Sequence, residues 1–179
     1  EILVTLYLGG GLAVRPQEPE WPDRDRFILS KGHAAPALYS VLARAGFFPL
    51  AELSGFRALG SPLHGHPMRN LSLGIECTSG SLGQGLSFGL GCVLAGRLAR
   101  RDFRVRVLLG DGECDEGQVW EAAMAAAHFG ADRLTAIVDY NKYQQTGPIE
   151  REMRLEPFAD KWRAFGWHVE EADGHDFVS

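Results

Sequence analysis

Two apolar runs, at positions 105–109 and 134–138, are each followed by a hard oxygen donor: Asp111 within Gly110-Asp111-Gly112-Glu113, and Asn141. The donors stand thirty positions apart, which is the length of a strand, a crossover helix and a second strand. Residues 118–129 (QVWEAAMAAAHF) supply the helix: they are strong helix formers without proline, and Gly130 follows as a C′ residue. Such a unit brings Asp111 and Asn141 to one edge of a parallel sheet, where Mg²⁺ or Ca²⁺ can bridge them to a phosphate. Gly112 carries no side chain, so a diphosphate can approach the backbone closely. The bland alternative is a cap and a turn, which Asp and Asn also favour.

The rest of the chain repeats the alternation of strand and helix. The pattern predicts helices over 2–8, 34–46, 50–59, 82–100 and 155–165, and strands over 27–29 and 167–170. In the 34–46 segment, Ala34, Ala37, Leu38, Val41, Leu42 and Ala45 recur at spacings of three and four, the mark of one buried face. The expected fold class is α/β, a three-layer α/β/α arrangement with a mostly parallel sheet. The 82–100 segment is unusual in carrying Gly85, Gly89, Gly91 and Gly96, each costing a helix roughly 1 kcal/mol relative to alanine. Tight helix packing, a subunit interface and a diphosphate contact all remain open as the reason.

A chain of 179 residues with 45% hydrophobic and 23% charged content suits one well-cored domain, 1–179. Its first residue is Glu1 and its last four are Asp176-Phe177-Val178-Ser179, which leaves truncation at both ends open. The net charge of −5 and scattered Lys and Arg argue against nucleic acid as a partner. The Arg97, Arg100, Arg101 and Arg104 cluster reads as a solvated helix end. No apolar run approaches the roughly 20 residues of a membrane span. Cys77, Cys92 and Cys114, irregularly spaced, fit a reducing compartment, and the expected location is cytoplasmic.

Two familiar motifs fail. An EF-hand loop starting at Asp111 needs Gly at its sixth place and Glu at its twelfth, where Glu116 and Ala122 stand. The Gly83-x-Gly85 pair meets Phe88 where a dinucleotide fingerprint needs its third glycine. Beside the Asp111 and Asn141 pair, four segments form one pattern: Phe27-Ile28-Leu29-Ser30-Lys31-Gly32-His33, Gly65-His66-Pro67, Thr78-Ser79-Gly80-Ser81-Leu82-Gly83-Gln84-Gly85, and Gly110 through Glu116. Together they resemble the thiamine diphosphate-binding signature of the transketolase family, in order, from about residue 21 to 176. The chain is most similar to the N-terminal subunit of transketolases split into two polypeptides.

The resemblance implies a thiamine diphosphate-binding fold and a set of roles. Asp111, Asn141 and the backbone carbonyl of Tyr143 would ligate Mg²⁺, for which Ca²⁺ can substitute. Gly80, Leu82, Gly110, Asp111, Gly112, Glu113 and Asn141 would contact thiamine diphosphate. His33 and His66 would line the active-site channel, and Glu116 would lie at a dimer interface linking two cofactor sites. For Glu116 the bland alternative is a favourable charge at a helix start, and for a loop histidine a structural role. His64 receives no role, and Asp173-Gly174-His175-Asp176 reads as a turn before a helix N-cap.

The implied activity is transfer of a two-carbon ketol unit from a ketose phosphate to an aldose phosphate, the transketolase reaction (EC 2.2.1.1) of the pentose phosphate pathway. The implied partners are a C-terminal subunit carrying the pyrimidine-binding domain, a second copy of the chain in a heterotetramer, and sugar phosphates. Alternatives are the diphosphate-binding subunit of a 2-oxo acid dehydrogenase or a deoxyxylulose-phosphate-type synthase, or a non-catalytic domain of the same fold. The chain departs from the family at Lys142, where Gly or Asn is common, at Gln145-Thr146-Gly147, where Ile-Asp-Gly is usual, and at Ser81, often proline.

Overall fold

The computed structural model describes residues 1–145 and 147–177; Thr146, Val178 and Ser179 lie outside the described residues. Three parallel strands form the central sheet in the order β1 (Arg26–Leu29), β2 (Val105–Gly110), β3 (Leu134–Asp139). Leu29 pairs with Leu108, and Gly110 with Asp139, so the three strands end close together at one edge.

Side chains on the sheet alternate between two apolar layers. Ile28, Val105, Val107 and Leu109 face α3 (Gln84–Leu98), α4 (Gly117–His128) and α6 (Phe158–Ala164). Phe27, Leu29 and Leu108 face α1 (Ile2–Tyr7) and α2 (Ala35–Ala45). A sheet buried on both faces, with helices on each, is the expected three-layer α/β/α fold. Helix α2 ends at Gly46, whose φ of 94° supplies a left-handed cap that a side chain would strain.

Local deviations from the sequence pattern have identifiable causes. Helix α6 starts at Phe158 rather than 155, because Pro157 disfavours helical backbone at the residue before it. The 50–59 segment forms a 3₁₀ helix over Leu50–Gly55. A small antiparallel ribbon, β4 (Tyr143–Gln144) with β5 (Gly147–Pro148), and a short helix α5 (Ile149–Glu152) follow β3; neither has a periodic signal in sequence.

The strand expected at 167–170 is corrected. These residues alternate partly buried and exposed, as the pattern predicted, but they join no ladder among the described residues. Alternation shows which side chains face inward, while a strand also needs a neighbour for its backbone groups. Here a cavity of about 1260 Å³ is lined both by Ala136 and Val138 of β3 and by the 167–175 segment. No helix among the described residues is long and apolar enough to cross a membrane.

The glycines of α3 divide by environment. A Cβ on Gly89 would lie 2.7 Å from Val107 Cγ2, and one on Gly96 would lie 2.7 Å from Phe103 Cζ. A Cβ on Gly85 would meet the backbone of Ser30. At these three positions close packing explains the glycine, whereas nothing lies within 4 Å of the equivalent point on Gly91. Arg97, expected in solvent, donates to the carbonyls of Phe129 and Gly130 and so closes the C-terminus of α4.

Candidate functional site

The carboxyl edge of the parallel sheet gathers most of the predicted residues. Ser30 to His33 leave β1, Asp111 to Glu116 leave β2, and Asp139 to Tyr143 leave β3. This is the edge at which open α/β sheets bind ligands. The loop that ends in Gly83 closes over it, packed so tightly that a Cβ on Gly32 would lie 2.9 Å from Gly80 N.

Asp111 is 2% exposed. Its Oδ1 accepts from Gly112 N at 2.8 Å and its Oδ2 from Lys142 N at 2.6 Å, which ties the tip of β2 to the loop after β3. Asn141 Oδ1 accepts from Tyr143 N at 2.9 Å. Each of these oxygens keeps a lone pair free. Burial pushes the Asp111 carboxyl above its ordinary value, and the Asp139 charge adds to this; the two backbone N–H donors and the Lys31 ammonium oppose it. A buried carboxylate whose charge is under-compensated, bonded to the loop that carries Asn141, fits a divalent cation bound through hard oxygens. Among the described residues no cluster of three or more His, Cys, Asp and Glu is gathered for a metal, so a cation here would need oxygens from a ligand as well.

Lys142 adopts a φ of 66°, in the left-handed region. That conformation directs its N–H at Asp111 and explains why glycine or asparagine is common at this place: a lysine there carries about 1 kcal/mol of backbone strain. Tyr143 is 66% exposed.

Glu113 lies two positions beyond Asp111 and takes a different part. Expected to contact the cofactor, it is 3% exposed. Its Oε1 accepts from the Ser30 hydroxyl and from Gly83 N at 2.8 Å, and its Oε2 from Gly110 N at 3.1 Å. Ser30 Oγ in turn accepts from Gly85 N at 3.1 Å. One carboxylate thus joins the end of β1, the end of β2 and the start of α3. Gly112, expected to face a diphosphate, is covered on one side by Gln144: a Cβ there would lie 2.5 Å from Gln144 Cβ, and Gln144 Nε2 donates to Asp115 Oδ2 at 2.8 Å.

The histidines stand at the mouth of this edge. Both His33 and His66 are exposed, and the His66 ring lies against Gly80, where a Cβ would be 3.4 Å from His66 Cγ. Burial, together with the Lys31 ammonium and His66 and against the Glu113 carboxylate, holds His33 below its ordinary value, so its imidazole is neutral at pH 7. Leu82 is partly buried. Glu116 is exposed at the start of α4, where its Cβ would be 2.9 Å from a Cβ on Gly83. His175 N donates to Asp173 Oδ1 at 2.9 Å, the turn expected there.

Sequence reasoning missed Lys31 and Asp139. Lys31 is 7% exposed, and its Nζ donates to Asp139 Oδ2 at 2.7 Å across the tip of β2. The same oxygen accepts from Asn141 Nδ2 at 3.3 Å. Although burial pushes Asp139 up, the hydrogen bond and charge of Lys31 outweigh it and hold the carboxyl below its ordinary value. A lysine two places from a strand end was the available signal, but its partner is 108 residues away.

The family model for the thiamine diphosphate-binding domain of transketolase matches residues 4–179. The chain belongs to the transketolase family. A 6-deoxy-6-sulfo-D-fructose transketolase subunit of Clostridium sp. strain MSTE9 is 46% identical over 98% of this chain and 64% of its own length. An apulose-4-phosphate transketolase subunit of Phocaeicola vulgatus is 42% identical over 98% of this chain and 62% of its own length. This transketolase-family chain therefore spans less than two thirds of both subunits. The transketolase of Campylobacter jejuni superposes with a TM-score of 0.89 at 31% identity, covering 98% of this chain and 29% of that one.

Proposed function

We propose that the chain is the thiamine diphosphate-binding part of a two-subunit transketolase, which moves a two-carbon ketol unit from a ketose phosphate to an aldose phosphate. The observation that carries this reading is the bond from Lys142 N to Asp111 Oδ2, which joins the tip of β2 to the loop in which Tyr143 N holds Asn141 Oδ1. Asp111, Asn141 and the Tyr143 carbonyl would hold Mg²⁺, or Ca²⁺ in its place, as the anchor for the diphosphate. When bound, the cofactor would supply a nucleophilic carbon for chemistry at the ketose carbonyl. The protein's own part is to anchor and orient. Asp111 supplies charge, the Gly80–Leu82 segment packs against the bound group, and His66 together with neutral His33 hydrogen-bonds substrate hydroxyls at the channel mouth.

The activating glutamate for the pyrimidine end comes from a C-terminal partner subunit. Self-association brings Glu116 against a second copy, which makes the assembly a heterotetramer, and the free cysteines suit the cytoplasm. The two similar subunits are named for different sugars, 6-deoxy-6-sulfo-D-fructose and apulose-4-phosphate, so the pentose phosphates of EC 2.2.1.1 are one candidate substrate set. Calorimetry of thiamine diphosphate with and without Mg²⁺ tests the anchor, and binding indifferent to the metal overturns it. Ketol transfer by the chain without its partner overturns the two-subunit reading.

A further inference from the structure

An asparagine can ligate a cation only with its oxygen. The amide of Asn141 is nearly symmetric in shape, and turning it over would aim an NH₂ group at the cation instead. Two contacts fix its orientation in this chain. Tyr143 N donates to Oδ1 at 2.9 Å, and Nδ2 donates to Asp139 Oδ2 at 3.3 Å. That carboxylate is in turn held by Lys31 Nζ at 2.7 Å. The Lys31 side chain is 9% exposed and that of Asp139 37%, so solvent competes little for the ammonium and only moderately for the carboxylate.

We propose that Lys31 and Asp139 are positioning residues that select which face of the Asn141 amide meets the cation. Asp139 accepts the amide N–H and so leaves the amide oxygen for the metal. Lys31 holds Asp139 in place and neutralises it, which keeps a second carboxylate out of the cation's coordination sphere. The bond also crosses from the end of β1 to the end of β3. The inference rests on the reading of Asn141 as a cation ligand.

The test uses the full-length chain assembled with its partner subunit. Mn²⁺ affinity in the presence of thiamine diphosphate is measured by calorimetry, and thermal unfolding without ligands is followed separately. Asp139→Ala removes the acceptor and is expected to weaken Mn²⁺ roughly tenfold to a hundredfold, the range typical of residues that orient metal ligands. Asp139→Asn gives up the ion pair and keeps an acceptor for the Asn141 amide, so it is expected to stay within about threefold of wild type, far short of that range. Asp139→Ala strands the Lys31 ammonium, so Lys31→Met/Asp139→Ala, which removes both charges, is measured beside it and is expected to match the single variant.

A staple that only joined β1 to β3 would lower the unfolding temperature in all three variants and leave Mn²⁺ affinity unchanged. That result overturns the inference. So does equal loss of affinity in Asp139→Ala and Asp139→Asn, which would assign the effect to charge rather than orientation. An Asn141→Asp background offers an oxygen in either orientation, so Asp139→Ala is expected to cost no affinity there; a full loss in that background also overturns the inference. If wild type itself fails to bind Mn²⁺ with thiamine diphosphate, the anchor under Proposed function falls instead.

Discussion

Two glycines six positions apart in α3 are expected to respond to alanine with opposite signs. A Cβ on Gly85 would lie 2.9 Å from Ser30 Cα and closer still to Ser30 Cβ and Oγ, and the backbone of β1 leaves no room to yield. Overpacking of this kind costs about 1–3 kcal/mol. Displacing Ser30 also breaks its bonds to Gly85 N and to the buried Glu113 carboxylate, for about 1.5–3 kcal/mol more, since one partner is charged. Alanine's better helix propensity returns roughly 1 kcal/mol. The net loss is about 1.5–5 kcal/mol, a fall in Tm of about 3–20 °C for a domain of this size. Gly91 has nothing within 4 Å, so Gly91→Ala is expected to raise stability by about 0.5–1 kcal/mol. Urea and thermal unfolding of the purified variants measure both. A Gly85→Ala chain within about 0.5 kcal/mol of wild type, the range of ordinary surface substitutions, would refute the close-packing account of this helix.

Two further outcomes follow from the buried carboxylates. Glu113→Gln places an NH₂ group among three donors, from Ser30, Gly83 and Gly110, and should cost about 1–3 kcal/mol by urea unfolding; an unchanged midpoint would show that the junction does not depend on the charge. The Asp111 carboxyl lies above its ordinary 3.8 in the folded chain, so its ionised form is a cost at neutral pH that is relieved as pH falls through the folded value. Cation binding must displace that proton. Affinity for Mg²⁺ with thiamine diphosphate should therefore weaken on acidification while the pH is still above 3.8, with proton release visible by calorimetry in buffers of different ionisation enthalpy. Constant affinity down to 3.8 would contradict the shift.

Much of the site was legible because its frame is local. Asp111, Gly130 and Asn141 lie within one β-α-β unit, where apolar runs, helix formers and a capping glycine act over a few residues, and that unit folds as read. Fates of individual side chains were less legible. Asp111 and Glu113 look alike in sequence, yet one takes two donors, both backbone N–H groups, while the other takes three, two of them from Ser30 and Gly83, 83 and 30 residues away. Gln144 over Gly112 and Lys31 on Asp139 are likewise meetings of distant segments.

The amino-acid order by itself determined the alternation of strand and helix, the parallel sheet and the edge on which the donors lie, because hydrophobic period and turn chemistry are properties of short stretches. Only the tertiary structure decided which donors each buried carboxylate receives, which lysine neutralises which aspartate, and that 167–170 joins no ladder among the described residues. Those outcomes depend on which groups arrive from elsewhere in the chain to satisfy a buried charge or a backbone donor, and no local pattern encodes the arrival.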